Sequence, residues 1–172
     1  MDYALPMTLH TYCRSSASYR VRSALELKGL ACEYFAVHIA KGDLKKEPYA
    51  ARSADELVPL PEVEDERLSQ PIANVEYLDA KDPTTALLPA GAMGRANVPA
   101  IAQSMACEVH PVNDLRILKY LNKKLKVSDQ ANNVWHRHRS RESLQAFEKQ
   151  LAQLPLPTYW LARRKITLKK GT

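Results

Sequence analysis

The sequence predicts two units in series, an α/β unit built on a mixed four-stranded sheet and then an all-helical one. Three observations predict this. Short apolar runs with strand character are confined to the first part of the chain, separated by helical or polar stretches. A proline-bearing segment, Lys81-Asp-Pro-Thr-Thr85 to Pro89, closes that part. Beyond it the pattern is helical throughout.

The elements follow in order. Thr8 to Cys13 reads as an apolar strand, and Tyr19 to Leu30 as the helix it hands over to. Ala31 to Ile39 alternates and carries Tyr-Phe-x-Val, a second strand. The polar stretch Lys41 to Glu56 is a weak helix or loop, and Leu57-Val-Pro-Leu60 is a short apolar run into proline. Glu62 to Leu68 gives a turn and a further short strand, with Pro61 expected to remove a ladder donor from a central strand. Gln70 opens a helix reaching Leu78. In the second unit, helices are expected from about Gly91 to Val109, through His110, Asp114 and Arg116 on one face, and from Val134 to Leu154. Pro99 lies inside the first of these, where an interior proline costs about 3 kcal/mol or forces a kink.

The junction Arg14-Ser-Ser-Ala-Ser-Tyr-Arg20 stands where the first strand meets the first helix. A helix start presents unpaired N–H groups and the positive end of its dipole, so it stabilises an anion without a charged side chain. Ser15, Ser16 and Ser18 add rotatable donors. A thiol held there ionises near neutral pH, and since no cysteine falls inside the helix start, a ligand must bring it. The alternative is that these serines only cap the helix, for which serine is well suited.

Composition narrows the classes. With 172 residues and 45% hydrophobic content the chain can bury a core. Its three cysteines, Cys13, Cys32 and Cys107, show no paired spacing, which suits a reducing cytoplasm and argues against a disulfide framework or zinc site. Cys13, ending a central strand, reads as a small core residue. No run approaches the roughly 18 apolar residues of a membrane helix. Met1 to Met7 lacks the features of a secretory signal, and Met7 reads as the original start. A net charge of +6 and the basic tail Arg163-Arg-Lys165 with Lys169-Lys170 invite a nucleic-acid or membrane reading. The tail is short, lacks a nucleic-acid-binding signature and offers only Tyr159 and Trp160 for stacking, so neither partner is expected. His136 and His138 point to different helix faces and are not expected to share a metal.

Several segments, in order, carry a family resemblance: Tyr12-Cys-Arg-Ser-Ser-Ala-Ser-Tyr-Arg-Val-Arg22, Ala24-Leu-Glu-Leu-Lys-Gly29, Leu57-Val-Pro59, Glu76-Tyr-Leu-Asp79, Ala86-Leu-Leu-Pro-Ala90 and Cys107 through Leu121. Over Thr8 to about Leu151 the chain resembles the zeta-class glutathione transferases, whose members include maleylacetoacetate and maleylpyruvate isomerases. The resemblance implies a thioredoxin-like glutathione-binding domain at 1–86, an incomplete all-α glutathione transferase domain at 87–155, and a basic tail at 156–172 without family counterpart. It implies glutathione as cofactor, held by Ser15, Ser16, Ser18, Arg20, Val58, Pro59, Gln70, His110 and Asp114, with Pro59 in a cis peptide. It implies catalysis by Ser15, Ser16 and Arg14, with Arg14 and Arg116 binding a small keto-acid substrate, in a cytoplasmic homodimer.

Departures from the family pattern matter as much. The family carries Gln-Ser at the start of the third helix, where this chain has Gln70-Pro71 and so lacks a donor for the γ-glutamyl carboxylate. Leu44 replaces a Gln or His, and Ser53-Ala-Asp-Glu56 replaces an Asn-Pro-Gln-Gly loop, so weaker glutathione binding is expected. Asn74 and Ser23 stand where the family is apolar, and Arg139-Ser140 replaces an aromatic-aliphatic pair. The ending from Leu154 reads as truncated or frameshifted, leaving the helices over 92–121 and 134–154 with uncovered apolar faces. Two functions follow: a glutathione-dependent isomerase of a maleyl keto acid in aromatic catabolism, or a non-catalytic remnant of that fold that serves as an interaction module or does not fold alone.

Overall fold

The computed structural model describes residues 7–153. The chain divides into two units, Met1–Leu88 and Pro89–Thr172. The basic tail, Met1 to Pro6 and the expected end of the last helix at Leu154 lie outside the described residues.

In the first unit, alternation in β1 (Met7–Thr11) sends Met7 and Leu9 to one face and Thr8 and His10 to the other. The helix α1 (Ser16–Lys28) follows and returns the chain to β2 (Glu33–Ala36), which pairs parallel to β1. Two short 3₁₀ turns, Ile39–Lys41 and Asp43–Lys45, occupy the stretch with weak helical pattern. The strand β3 (Leu60–Val63) pairs antiparallel to β1, and β4 (Glu66–Arg67) antiparallel to β3, giving a mixed four-stranded sheet of order β2-β1-β3-β4. The helix α2 (Pro71–Lys81) completes the unit's regular structure, with a 3₁₀ turn at Pro83–Thr85.

Each sheet face has its own apolar cluster. Met7, Leu9 and Val63 pack with Val21, Ala24, Leu25 and Leu78 of α1 and α2. On the other face Val37, Tyr49, Val58 and Leu60 pack with Tyr12, Ile39 and Leu44. Gly29 ends α1 in the left-handed conformation at φ 67°, which glycine adopts without steric cost.

Two residues that the sequence marks as departures are accommodated in this unit, and one expectation is corrected. Pro61 removes no ladder bond to β1. Its carbonyl accepts from Leu68 N at 3.0 Å, so its nitrogen also faces the β4 side, where the strand is only two residues long. Asn74, fully buried, is not an orphan: with its amide turned so that the nitrogen faces them, it donates to the carbonyls of Leu68 (3.3 Å) and Gln70 (3.2 Å), fastening the loop ahead of α2. Cys13 is not a core residue. The strand ends at Thr11, and Cys13 is exposed in the turn beyond it.

The second unit is helical. Its elements are α3 (Ala92–Gln103), a π-helical stretch (Ser104–Val109), a 3₁₀ turn (Pro111–Asn113), α4 (Leu115–Lys123) and α5 (Asp129–Gln153). Pro99 sits inside α3, and the helix continues through it for four residues before passing into the π-helical stretch. His110, Asp114 and Arg116 do not share one helical face. Pro111 supplies no N–H, the chain breaks into a 3₁₀ turn, and Asp114 caps a new helix by accepting from Arg116 N at 2.7 Å. None of this unit's described residues is buried, and Ile117, Tyr120, Leu125, Val134 and Trp135 are exposed. No described helix is long and apolar enough to cross a membrane.

Candidate active site

The turn from β1 to α1 is built by a small set of hydrogen bonds. Ser15 N donates to Tyr12 O at 3.0 Å, which closes the turn. Ser15 is the N-cap of α1: its Oγ accepts from Ser18 N at 3.1 Å, and its carbonyl accepts from Tyr19 N at 2.9 Å. By helix geometry the amides of Ser16 and Ala17 have no acceptor within the helix. The Ser15 hydroxyl, used as an acceptor, still has its proton to donate. Capping and anion binding are therefore compatible in one serine.

The remaining junction residues divide into those at the surface and those beneath it. Ser16 and Arg14 are exposed. Ser18 is fully buried, and its Oγ accepts from Tyr12 N at 3.5 Å, so it supports the turn from below rather than meeting a ligand. Arg20 is half-buried on α1 and engaged in a contact.

The second side of the site is the segment entering β3. The Val58–Pro59 peptide is cis, as is Glu47–Pro48. Because His10 pairs with Leu60, continuing the register brings Val58 beside Tyr12, and both side chains join the same apolar cluster. Among the described residues no hydrogen bond reaches the amide or the carbonyl of Val58. An extended peptide has an unpaired donor and acceptor to meet there, next to the turn that carries Ser15.

The start of α2 is less accommodating. Gln70 has φ 69° and makes no side-chain cap, its Nε2 instead donating to Asp55 Oδ2 at 3.5 Å. Pro71 fills the first helical position without an N–H to offer. Leu44 is partly buried against the second cluster. Ser53 is buried and bonded to both the amide (3.2 Å) and the carbonyl (3.3 Å) of Leu57, holding the entry to Val58.

In the second unit, Asp114 is committed to the cap of α4, and its other oxygen lies 3.5 Å from Arg116 Nε. Arg116 is otherwise exposed, and His110, between the π-helical stretch and the 3₁₀ turn, is engaged in a contact. Among the described residues no cluster of metal-ligating side chains exists, and His138 pairs with Glu142 at 3.2 Å.

Beside the site, on the sheet face of the second cluster, Glu62 gathers donors. His10 Nε2 lies at 3.1 Å, Arg52 Nη1 at 2.9 Å and 3.0 Å from its two oxygens, and Arg67 Nε at 3.0 Å. Burial pushes this carboxyl up, but the bonds from His10 and Arg52 outweigh it and hold it at about 2. Tyr49, whose hydroxyl donates to Leu57 O, is pushed up to about 12 by burial.

The residue that sequence reasoning passed over is Arg22. Its Nη1 donates to Thr11 Oγ1 at 2.8 Å and to Tyr12 O at 3.3 Å, and its Nη2 to Cys13 O at 3.4 Å. The signal was available: helical side chains lean toward the helix N-terminus, so position 22 covers the turn ahead of it.

No protein-family model matches the chain. It is similar to maleylpyruvate isomerase of Ralstonia sp, 42% identical over 129 residues, which are 75% of this chain and 61% of that protein. It is also similar to a probable maleylacetoacetate isomerase of Vibrio cholerae, 38% identical over 86% of this chain and 69% of the relative. The chain thus spans between about three fifths and two thirds of these relatives' length. Among solved structures, a holo maleylpyruvate isomerase described as a bacterial zeta-class glutathione transferase superimposes with TM-score 0.82 at 39% identity, covering 86% of this chain and 70% of that one. The maleylacetoacetate isomerase of Anaeromyxobacter dehalogenans with bound glutathione gives TM-score 0.76 at 33% identity, over 87% and 69%.

Proposed function

This chain belongs to the zeta-class glutathione transferases, the family of the maleylacetoacetate and maleylpyruvate isomerases, and on that footing we propose that it is a glutathione-dependent cis-trans isomerase of maleylacetoacetate or a related maleyl keto acid. The observation that carries this reading is the pairing of a serine-capped helix start with the unpaired main chain of Val58 beside it.

Glutathione, when bound, supplies a thiolate that adds to the maleyl double bond and later leaves, so that the bond rotates in between. The hydroxyls of Ser15 and Ser16 and the first-turn amides of α1 hold negative charge on sulfur. The unpaired amide and carbonyl of Val58 receive the ligand's peptide, with Pro59 fixing the turn and Gln70 at the start of α2. Arg14 counters the negative charge that builds on the keto acid, and in the second unit Arg116 is kept, from the family resemblance, as a carboxylate-binding residue. Ser18 and Arg20 support the junction, while Asp114 orients Arg116 and His110 borders it in sequence. The setting is a cytoplasmic homodimer in aromatic-ring or aromatic amino acid breakdown, with domains at 1–86 and 87–155.

The test is turnover of maleylpyruvate and maleylacetoacetate by the purified chain with and without glutathione. Glutathione-dependent conversion to the trans isomer supports the reading. A folded chain that binds glutathione and converts neither substrate would sink it.

A second reading, a non-catalytic member whose helical face serves an interaction, is favoured by Pro71 at the start of α2 and by the exposed apolar side chains of α4 and α5. A thermal melt that millimolar glutathione leaves unmoved would favour it.

A further inference from the structure

Arg22 stands six residues beyond Ser16, the first residue of α1, yet its guanidinium reaches back to three successive residues. Thr11 Oγ1 at 2.8 Å, Tyr12 O at 3.3 Å and Cys13 O at 3.4 Å are the last residue of β1 and the two that lead to Arg14 and Ser15. Tyr12 O also accepts the Ser15 amide at 3.0 Å. One carbonyl therefore receives both the bond that closes the turn and a bond from Arg22. The guanidinium carbon lies over the ring of Tyr19, 5.9 Å from its centroid, within cation–π range.

This arrangement is more than the turn needs to exist. The Ser15–Tyr12 bond already closes it, and Ser15 and Ser18 already cap the helix. What the planar fork adds is orientation, because three acceptors from consecutive residues fix the segment in direction as well as in distance. It also places a permanent positive charge directly behind the turn. We infer that Arg22 is a positioning residue for the thiol site: it fixes the Tyr12–Ser15 turn so that the Ser15 hydroxyl and the first-turn amides of α1 meet a sulfur anion. The inference rests on the glutathione reading above and assigns a residue to it.

Lysine at this position keeps the charge but, as a point donor, lacks the two separate nitrogens that reach these three acceptors. Glutamine removes the charge as well. The experiment follows the ultraviolet absorbance of the thiolate of bound glutathione against pH, with kcat and KM measured on the same preparations. Expected is a rise in the ionisation pH of bound glutathione in Arg22→Gln and a smaller rise in Arg22→Lys. The kcat of Arg22→Gln falls by about tenfold or more, against a change of less than about threefold in glutathione Kd. A purely structural Arg22 would lower the thermal midpoint and leave the ionisation pH where it was, which would overturn the inference alone. If glutathione bound to the unaltered chain ionises as it does in water, the glutathione reading fails and the inference falls with it. Where Arg22→Gln does not fold, Thr11→Val removes the shortest of the three bonds. An unshifted ionisation pH in that variant overturns the inference too.

Discussion

Lys28 and Asp79 form an ion pair inside the first unit, Nζ to Oδ1 3.3 Å, with the lysine side chain entirely shielded from solvent. The ammonium also donates to the carbonyls of Asp82 (2.7 Å) and Thr85 (2.8 Å), and Asp79 Oδ1 accepts from Leu87 N at 2.6 Å. One buried cation thus ties α1, α2 and the segment leaving α2 into a single knot. Two carbonyl hydrogen bonds and the facing carboxylate compensate the buried ammonium, the condition under which a buried pair is tolerated.

Lys28→Met leaves Asp79 as a buried charge and frees two carbonyls. A loss of about 3 to 5 kcal/mol is expected in chemical denaturation. The double variant Lys28→Met with Asp79→Leu is expected to lose less than Lys28→Met alone. Additive losses would show that the two side chains act independently.

Glu62 makes stability depend on acid. Its carboxyl is held at about 2 in the fold against an ordinary 4.5, so the unfolded chain takes up the proton first as pH falls. The contribution is fully present above about pH 4.5 and is lost progressively as pH falls through about 2. Glu62→Gln is expected to flatten this acid limb in melts at stepped pH. An acid limb of unchanged slope would mean that other carboxylates govern it.

Ser15→Ala removes a cap and, on the proposed reading, a thiolate donor. The two roles separate by magnitude: loss of the cap costs about 1 kcal/mol of stability, whereas loss of a donor aimed at the reacting anion lowers kcat by about 10² or more. Paired melts and turnover assays are expected to show the small first effect and the large second one. A variant that only melts earlier leaves Ser15 as a cap.

The order of elements and the mixed sheet were legible because strand alternation, proline and glycine act locally. Thr8 to Thr11 alternates, Gly29 stops α1, and Pro71 starts α2. What failed to show were contacts between residues distant in sequence. Lys28 looks like any last-turn lysine until α2 and the Pro83–Thr85 turn close around it, and Asn74 looks misplaced until the Leu68 and Gln70 carbonyls face it. The expected shared face of His110 and Asp114 rested on an unbroken helix, and Pro111 was the local sign that it breaks. For the candidate site, the serines and Val58-Pro59 were legible from the junction and from family resemblance. Arg22 was legible only in part: its helical position covers the turn ahead of it, but which acceptors its fork meets depends on the folded turn.

Pro71→Ser tests whether the departure at the start of α2 governs ligand affinity. Proline at the first helical position is tolerated by the helix, since its N–H would have no intrahelical acceptor, so its removal costs α2 little. That same unused N–H is what a carboxylate at a helix start binds, and serine restores both the amide and a hydroxyl. One added hydrogen bond to a charged group is worth about 1.5 to 3 kcal/mol, so glutathione Kd is expected to fall by about tenfold or more in calorimetric titration. The thermal midpoint without ligand should shift little. An unchanged Kd would mean that the Gln70 backbone, held at φ 69°, keeps the α2 start out of reach of the ligand whatever residue follows it.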